Sequence, residues 1–158
     1  MTAAARGAVL RSRGLVVAID GPSGAGKSTA GRALATRLGY TYVDTGAMYR
    51  ALTLKAQRAG VAPDSEAALV ALASGTAIAL EEGGRRVRLD GFDVTTAIRS
   101  REVTLAVSQV SAHPGVRRHM VEWQRRLGQE GGVVLEGRDI GTAVFPDAEA
   151  KFFLDADP

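Results

Sequence analysis

Eight consecutive residues, Gly21-Pro22-Ser23-Gly24-Ala25-Gly26-Lys27-Ser28, fit the pattern G-x-x-x-x-G-K-[ST] in full. Chemistry explains the spacing. Glycines let the backbone curl until successive N–H groups point inward, and those groups with the N-terminus of a following helix make a polyphosphate site. Lys27 adds a mobile positive charge for the β- and γ-phosphates, the Ser28 hydroxyl suits Mg²⁺, and Thr29 completes the expected nucleotide-contacting set. Out of context the same residues are a glycine-rich turn with an exposed lysine. A short apolar run before them and an amphipathic stretch after them favour the phosphate reading. The motif accounts for a phosphoryl donor and leaves the acceptor open.

Two further segments carry charge at comparable places. Asp44-Thr45-Gly46-Ala47-Met48-Tyr49-Arg50 follows a second strand-like run, and Glu136-Gly137-Arg138-Asp139-Ile140-Gly141-Thr142 follows a third. With Thr45 as a helix cap, Arg50 lies over the first turns of its helix. Arg50 and Arg138, at the carboxyl ends of neighbouring strands, are predicted to face one crevice. A guanidinium fork matches a phosphate dianion better than an ammonium does. Glu136 has two open roles, orienting Mg²⁺ or its waters and being a solvated strand-end carboxylate. Asp20 likewise suits bonds to loop backbone as well as it suits a metal.

These residues need a scaffold that presents strand ends together. Leu15 to Ile19 reads as a buried parallel strand ending at Asp20. Apolar spacing predicts a helix over 27–38, stopped by Gly39. Tyr40 to Val43 reads as a strand and about 47–59 as a helix, with Gly60 as its stop; Asp64 or Ser65 caps another helix running to about Ala73. The pattern then changes to two short strands, 76–80 and 85–89, joined by a Gly-Gly turn and ending at Asp90-Gly91. Two helices, about 101–112 and 115–129, break near Pro114, and Val133–Leu135 and Lys151–Leu154 are again buried-type strands. The expected fold class is α/β, with a parallel sheet flanked by helices and a small antiparallel insert.

Composition limits the alternatives. The 158 residues contain no cysteine and two histidines, so disulfides, thiolate metal sites, cysteine nucleophiles and a histidine-rich metal centre are all disfavoured. Hydrophobic residues at 46% and charged residues at 23% suit one soluble globular domain. No apolar run approaches the ~20 residues that span a bilayer. Residues 1–14 hold Arg6, Arg11 and Arg13 and no acid, but the stretch is short and lacks an apolar centre, so it is expected to be a flexible tail. The net charge of +3 fits a solvated basic surface and an anionic ligand equally.

The motifs together are more specific than any one of them. Ile19 to Thr29, Asp44 to Arg50, the run GRDIGTAVFPDA from Gly137 to Ala148, and Ser108-Gln109-Val110 followed by His113-Pro114-Gly115-Val116-Arg117 resemble the bacterial-type cytidylate kinase family. The resemblance extends from about Val16 to the last residue, and the GRDIGT…FPDA run discriminates best. It implies a P-loop nucleoside-monophosphate-kinase fold over 15–158, with the insert at about 76–98 belonging to the monophosphate-binding region. It implies transfer of the ATP γ-phosphoryl group to CMP or dCMP with Mg²⁺. Lys27 and Arg138 would act in catalysis and Ser28 on the metal. Arg50 and Arg138 would hold the acceptor phosphate, Thr45 would lie near it, and Ser108, Arg117 and Asp139 would read the cytosine ring. The last three are singled out by the resemblance alone.

The expected partners are CMP or dCMP and ATP, with no nucleic acid and no membrane, for a monomer in the cytoplasm. Another small acceptor, or a non-catalytic nucleotide-binding fragment, are the alternatives. The chain stops at Asp155-Ala156-Asp157-Pro158, directly after a strand, whereas a parallel sheet commonly continues into a crossover helix. Family members carry a mobile lid, a last strand and a helix beyond this point, so the sequence reads as C-terminally truncated.

Overall fold

The computed structural model describes residues 11–155. Among the described residues, four strands form an all-parallel sheet in the order β2-β6-β1-β7, where β1 is Val16–Asp20, β2 Thr41–Asp44, β6 Val133–Gly137 and β7 Ala150–Phe153. All five residues of β1 are buried, as an apolar run covered on both faces requires. Its alternate residues divide between two clusters. Val17 and Ile19 pack with Ala35, Tyr42 and Val134 on one face. Val16 and Ala18 join the larger core on the other, with Met48, Leu52, Met120 and Leu135.

Helix α1 (Lys27–Leu38) lies on the first face. It approaches closely because residue 31 is glycine: a Cβ there would stand 2.8 Å from the Tyr42 ring. Helices α2 (Thr45–Arg58), α4 (Arg101–Ala112) and α5 (Pro114–Gly128) contribute to the larger core, and α3 (Glu66–Ser74) packs against α5. The break expected near Pro114 is there, with Pro114 in the first turn of α5 where its missing N–H costs nothing. Strands β3 (Ile78–Glu81), β4 (Arg86–Leu89) and β5 (Phe92–Asp93) form the antiparallel insert. The two-residue β5 is too short to have left a sequence signal. A 3-10 turn, Ala97–Arg99, links the insert to α4.

Two expectations need correction. Asp44, and not Thr45, caps α2, its Oδ1 accepting from the Ala47 N–H at 3.2 Å. The Thr45 hydroxyl instead donates to the Glu136 carbonyl at 2.7 Å, a tertiary bond between helix start and β6. The tail expected over 1–14 falls partly outside the described residues, at 1–10. Its remainder is fastened down: Arg11 pairs with Glu149 at 2.8 Å and Asp147 at 2.9 Å, and its guanidinium lies 5.4 Å from the Phe145 ring centroid. Arg13 N–H adds a bond to the Glu130 carbonyl at 3.0 Å. Glu149 also accepts from the Val16 N–H at 2.8 Å, so this strap leads straight into β1.

Candidate functional site

The carboxyl ends of β1, β2 and β6 open onto a cavity of about 830 Å³. One wall is the loop from β1 to α1. Gly24 and Gly26 hold positive φ of 81° and 84° there, which side-chain-bearing residues rarely adopt. Gly26 caps α1 with no side-chain bond, leaving the first-turn amides to a ligand. Ser23, Gly24, Gly26, Lys27, Ser28 and Thr29 line the space, whereas Gly21, Pro22 and Ala25 do not. Gly21 and Pro22 act through their carbonyls, which accept hydrogen bonds from Lys27 Nζ. Lys27 is thus folded back onto its own loop.

Asp20 resolves in favour of backbone. Its two carboxylate oxygens accept from the Ile140 and Gly141 N–H groups, both at 2.8 Å, and so fasten the segment after β6 beside the loop after β1. That segment continues as a short π-helical turn, Ile140–Val144, which the sequence pattern did not announce. The tether fixes Arg138 and Asp139 at the cavity. Arg138 Nη2 donates to Ser23 Oγ at 2.7 Å, reaching from the tip of β6 to the phosphate-type loop.

Arg50 lines the same cavity from α2. Its Nη1 donates to the Ile98 carbonyl at 3.2 Å and to Thr104 Oγ1 at 2.9 Å. Burial first, and then the like charge of Arg99, lowers its pKa from the ordinary arginine value. Arg117 of α5 pairs with Asp139 at 2.8 Å, and Ser108 of α4 lines the same cavity. Thr45 lines it too, though its hydroxyl is committed to Glu136. All six residues assigned to the acceptor therefore border one cavity, together with the phosphate-type loop.

Some lining residues were not anticipated. Tyr49 lies beside Arg117 and Asp139, and burial with the Asp139 charge pushes its phenol up to about 12. Arg99 lies beside Asp44, with Nη2 to Oδ2 at 3.4 Å. Tyr49 belongs to the segment singled out after the second strand, so only its register was missing. Arg99 sits in a three-residue turn and carries no sequence signal.

Glu136 is 6% exposed and accepts from Ser28 Oγ at 3.0 Å through Oε1. Its Oε2 is buried and has no hydrogen-bond partner among the described residues. Burial, followed by the Asp44 charge, raises its pKa above the ordinary carboxylate value. A hydroxyl and an unsatisfied buried carboxylate oxygen side by side are hard oxygen donors that suit Mg²⁺. Among the described residues no group of three or more acids or histidines could hold a metal without other ligands. A magnesium ion here would take its remaining ligands from phosphates and water, its usual preference.

The raised carboxyl has a stability consequence. A group that holds its proton more tightly folded than unfolded stabilises most below its unfolded pKa, about 4.3 for glutamate. That contribution is lost as pH rises through the higher folded value. Glu136→Gln is therefore expected to raise Tm at neutral pH, with the gain shrinking to nothing on acidification. Thermal unfolding of both proteins across pH checks this; a gain independent of pH would contradict it.

The model of the family described as cytidylate kinase matches residues 17–158. The chain belongs to the cytidylate kinase family. A cytidylate kinase from Citrifermentans bemidjiense is 55% identical over 149 residues, covering 93% of this chain and 64% of that protein. One from Symbiobacterium thermophilum is 55% identical over 148 residues, covering 92% and 66%. A bifunctional pantoate ligase/cytidylate kinase from Synechococcus sp. is 54% identical over 152 residues, covering 94% of this chain and 31% of its own length. The chain thus spans just under two thirds of the two single-function relatives. A parallel sheet flanked by helices, with a small antiparallel sheet beside it, agrees with the P-loop nucleoside-monophosphate-kinase fold of the cytidylate kinase family. No helix among the described residues is long and apolar enough to cross a membrane.

Proposed function

We propose that this chain binds ATP on the Gly21–Thr29 loop and CMP or dCMP across from it, and supports phosphoryl transfer giving ADP and (d)CDP. The observation that carries the reading is the single cavity shared by the amide-lined loop with Lys27 and by Arg50, Arg138, Arg117 and Asp139. Loops of the first kind bind polyphosphates in many proteins; the second group is what makes the acceptor a pyrimidine nucleotide.

No protein nucleophile or general base is needed. An oxygen of the acceptor phosphate attacks the γ-phosphorus in line, the new P–O bond forms, and the bond to the β-phosphate oxygen breaks with ADP leaving. The protein holds two mutually repelling anions in that geometry and stabilises charge on the transferred group. Lys27 exchanges the Gly21 and Pro22 carbonyls for phosphate oxygens. Arg138 and Arg50 grip the acceptor phosphate. Ser28, with Glu136 behind it, would hold Mg²⁺, which supplies charge neutralisation on the donor phosphates when bound. Position supports the site: Asp20, just before the donor loop, fastens the Arg138 segment beside it.

Base choice rests on Asp139. Cytosine offers an exocyclic amino donor, which a carboxylate accepts, while uracil offers an oxygen that would face it acceptor to acceptor. A buried polar group left unpaired costs about 1–3 kcal/mol, which is about a ten- to hundredfold preference. Arg117, paired with Asp139, and Ser108 can donate to the ring oxygen or nitrogen. Asp139→Asn is expected to reduce the CMP-over-UMP preference by about tenfold or more. Competition binding of the two nucleotides measures it, and an unaltered ratio removes Asp139 from base recognition.

The test of the whole reading is a coupled ATP-to-ADP assay with a panel of acceptors. CMP- or dCMP-dependent ADP formation supports it. Dependence on an unrelated acceptor would leave a P-loop kinase of another specificity. ATP binding with no acceptor-dependent turnover would mark a nucleotide-binding chain without this catalysis.

A further inference from the structure

We propose that Arg99 is an additional arginine of the acceptor-phosphate site, and that the Asp44 carboxylate occupies its guanidinium until the phosphate arrives. This rests on the acceptor reading given above and extends it to a residue outside the motifs.

Arg99 ends the 3-10 turn that joins the antiparallel insert to α4, and its side chain borders the cavity. The preceding residue, Ile98, is completely buried, and its carbonyl is the acceptor for Arg50 Nη1. Arg50 is thus anchored to the residue that precedes Arg99, and both side chains line the cavity. Two guanidinium groups so placed repel each other, and the pKa of Arg50 is lowered partly for that reason. An anion between them would remove the repulsion. A phosphate dianion, with three oxygens, can accept from both.

What neutralises Arg99 meanwhile is Asp44. The contact is loose, at 3.4 Å from Nη2 to Oδ2, against 2.8 Å for the Arg117–Asp139 pair. Charge-assisted bonds of good geometry lie near 2.7–2.9 Å. The exposures are also unequal, 53% for the Arg99 side chain and 9% for that of Asp44. Asp44 is fixed, because its other oxygen caps α2. Arg99 is the partner with freedom to turn away, and leaving costs Asp44 no part of its capping bond. A fixed carboxylate on a movable arginine, both bordering the cavity, is a placeholder for the phosphate.

Binding of CMP and of cytidine to the 158-residue chain, measured calorimetrically, separates this inference from the acceptor reading beneath it. Arg99→Gln is expected to weaken CMP about ten- to a hundredfold, since a charge-assisted contact is lost, and to leave cytidine binding unchanged. ATP affinity stays at the parent value, which reports an intact fold. Arg99→Lys recovers part of the loss. Asp44→Asn retains a capping side chain but no charge, and it tightens CMP several-fold only where Arg99 is present. Unchanged CMP affinity in Arg99→Gln, an equal loss for cytidine, or the same Asp44→Asn gain with and without Arg99 would each overturn the inference. Failure of the unsubstituted chain to prefer CMP over cytidine would instead remove the acceptor site itself, and this inference with it.

Discussion

Replacing Lys27 with alanine is expected to slow phosphoryl transfer by on the order of a hundred- to a thousandfold, the loss typical when one preorganised charge is taken from a transition state. The fold is expected to survive. Among the described residues the hydrogen bonds of Lys27 Nζ go to the Gly21 and Pro22 carbonyls of its own loop, so its removal opens no cavity in the core. Pro22 is exposed, so water can replace the ammonium at its carbonyl. The ammonium matters when donor phosphates displace it from the carbonyls, because charge accumulates on the γ-phosphoryl oxygens as the bond to ADP lengthens. Single-turnover rates with CMP, beside thermal unfolding of the two proteins, test both halves. An unchanged rate would remove Lys27 from the chemistry, and a collapse of Tm would show that the lysine holds the loop together.

Arg138→Ala is expected to be comparably severe, about a hundredfold or more in kcat/KM for CMP, because in the proposed function one guanidinium serves both substrates. It belongs to the segment that follows the tip of β6, faces the acceptor space, and already bonds Ser23 of the donor loop at 2.7 Å. A planar fork there can bridge the two phosphates whose repulsion opposes reaction. Arg138→Lys should restore little, since a single ammonium cannot donate in two fixed directions. ATP affinity alone should change far less. A loss confined to KM for CMP, with turnover preserved, would restrict Arg138 to acceptor binding.

Much of this site could be read from the chain because its signals are local. The run Val16 to Ile19 is β-branched or small throughout, and every residue of it is buried. Gly24 and Gly26 were placed in the phosphate loop by spacing, and both carry the positive φ the curl needs. The misreadings, and the choices left open, arose where long-range partners decide between equivalent local options. Asp44 and Thr45 are both good caps, and the choice turns on a carbonyl 91 residues away that takes the Thr45 hydroxyl. Asp20 had two plausible partners, and amides 120 and 121 positions later claim it. Arg11 looked like part of a loose basic tail because its two acids lie more than 130 residues onward. Arg99 was invisible for another reason: three residues of 3-10 turn have no periodicity to detect.

The strap that leads from Arg11 into β1 enters the sheet at the amino ends of its strands, while the cavity opens at the other ends. The five residues of β1 separate the two by about 16 Å, at ~3.3 Å of rise each. A covalent attachment upstream of Arg11, whether a purification handle, a surface linker or a fused partner, therefore connects to the sheet through this strap, at the end opposite the cavity. Arg11's ion pairs with Asp147 and Glu149 take up pull on such an attachment before it reaches β1. That end of the sheet is the place to attach a support while leaving the cavity open.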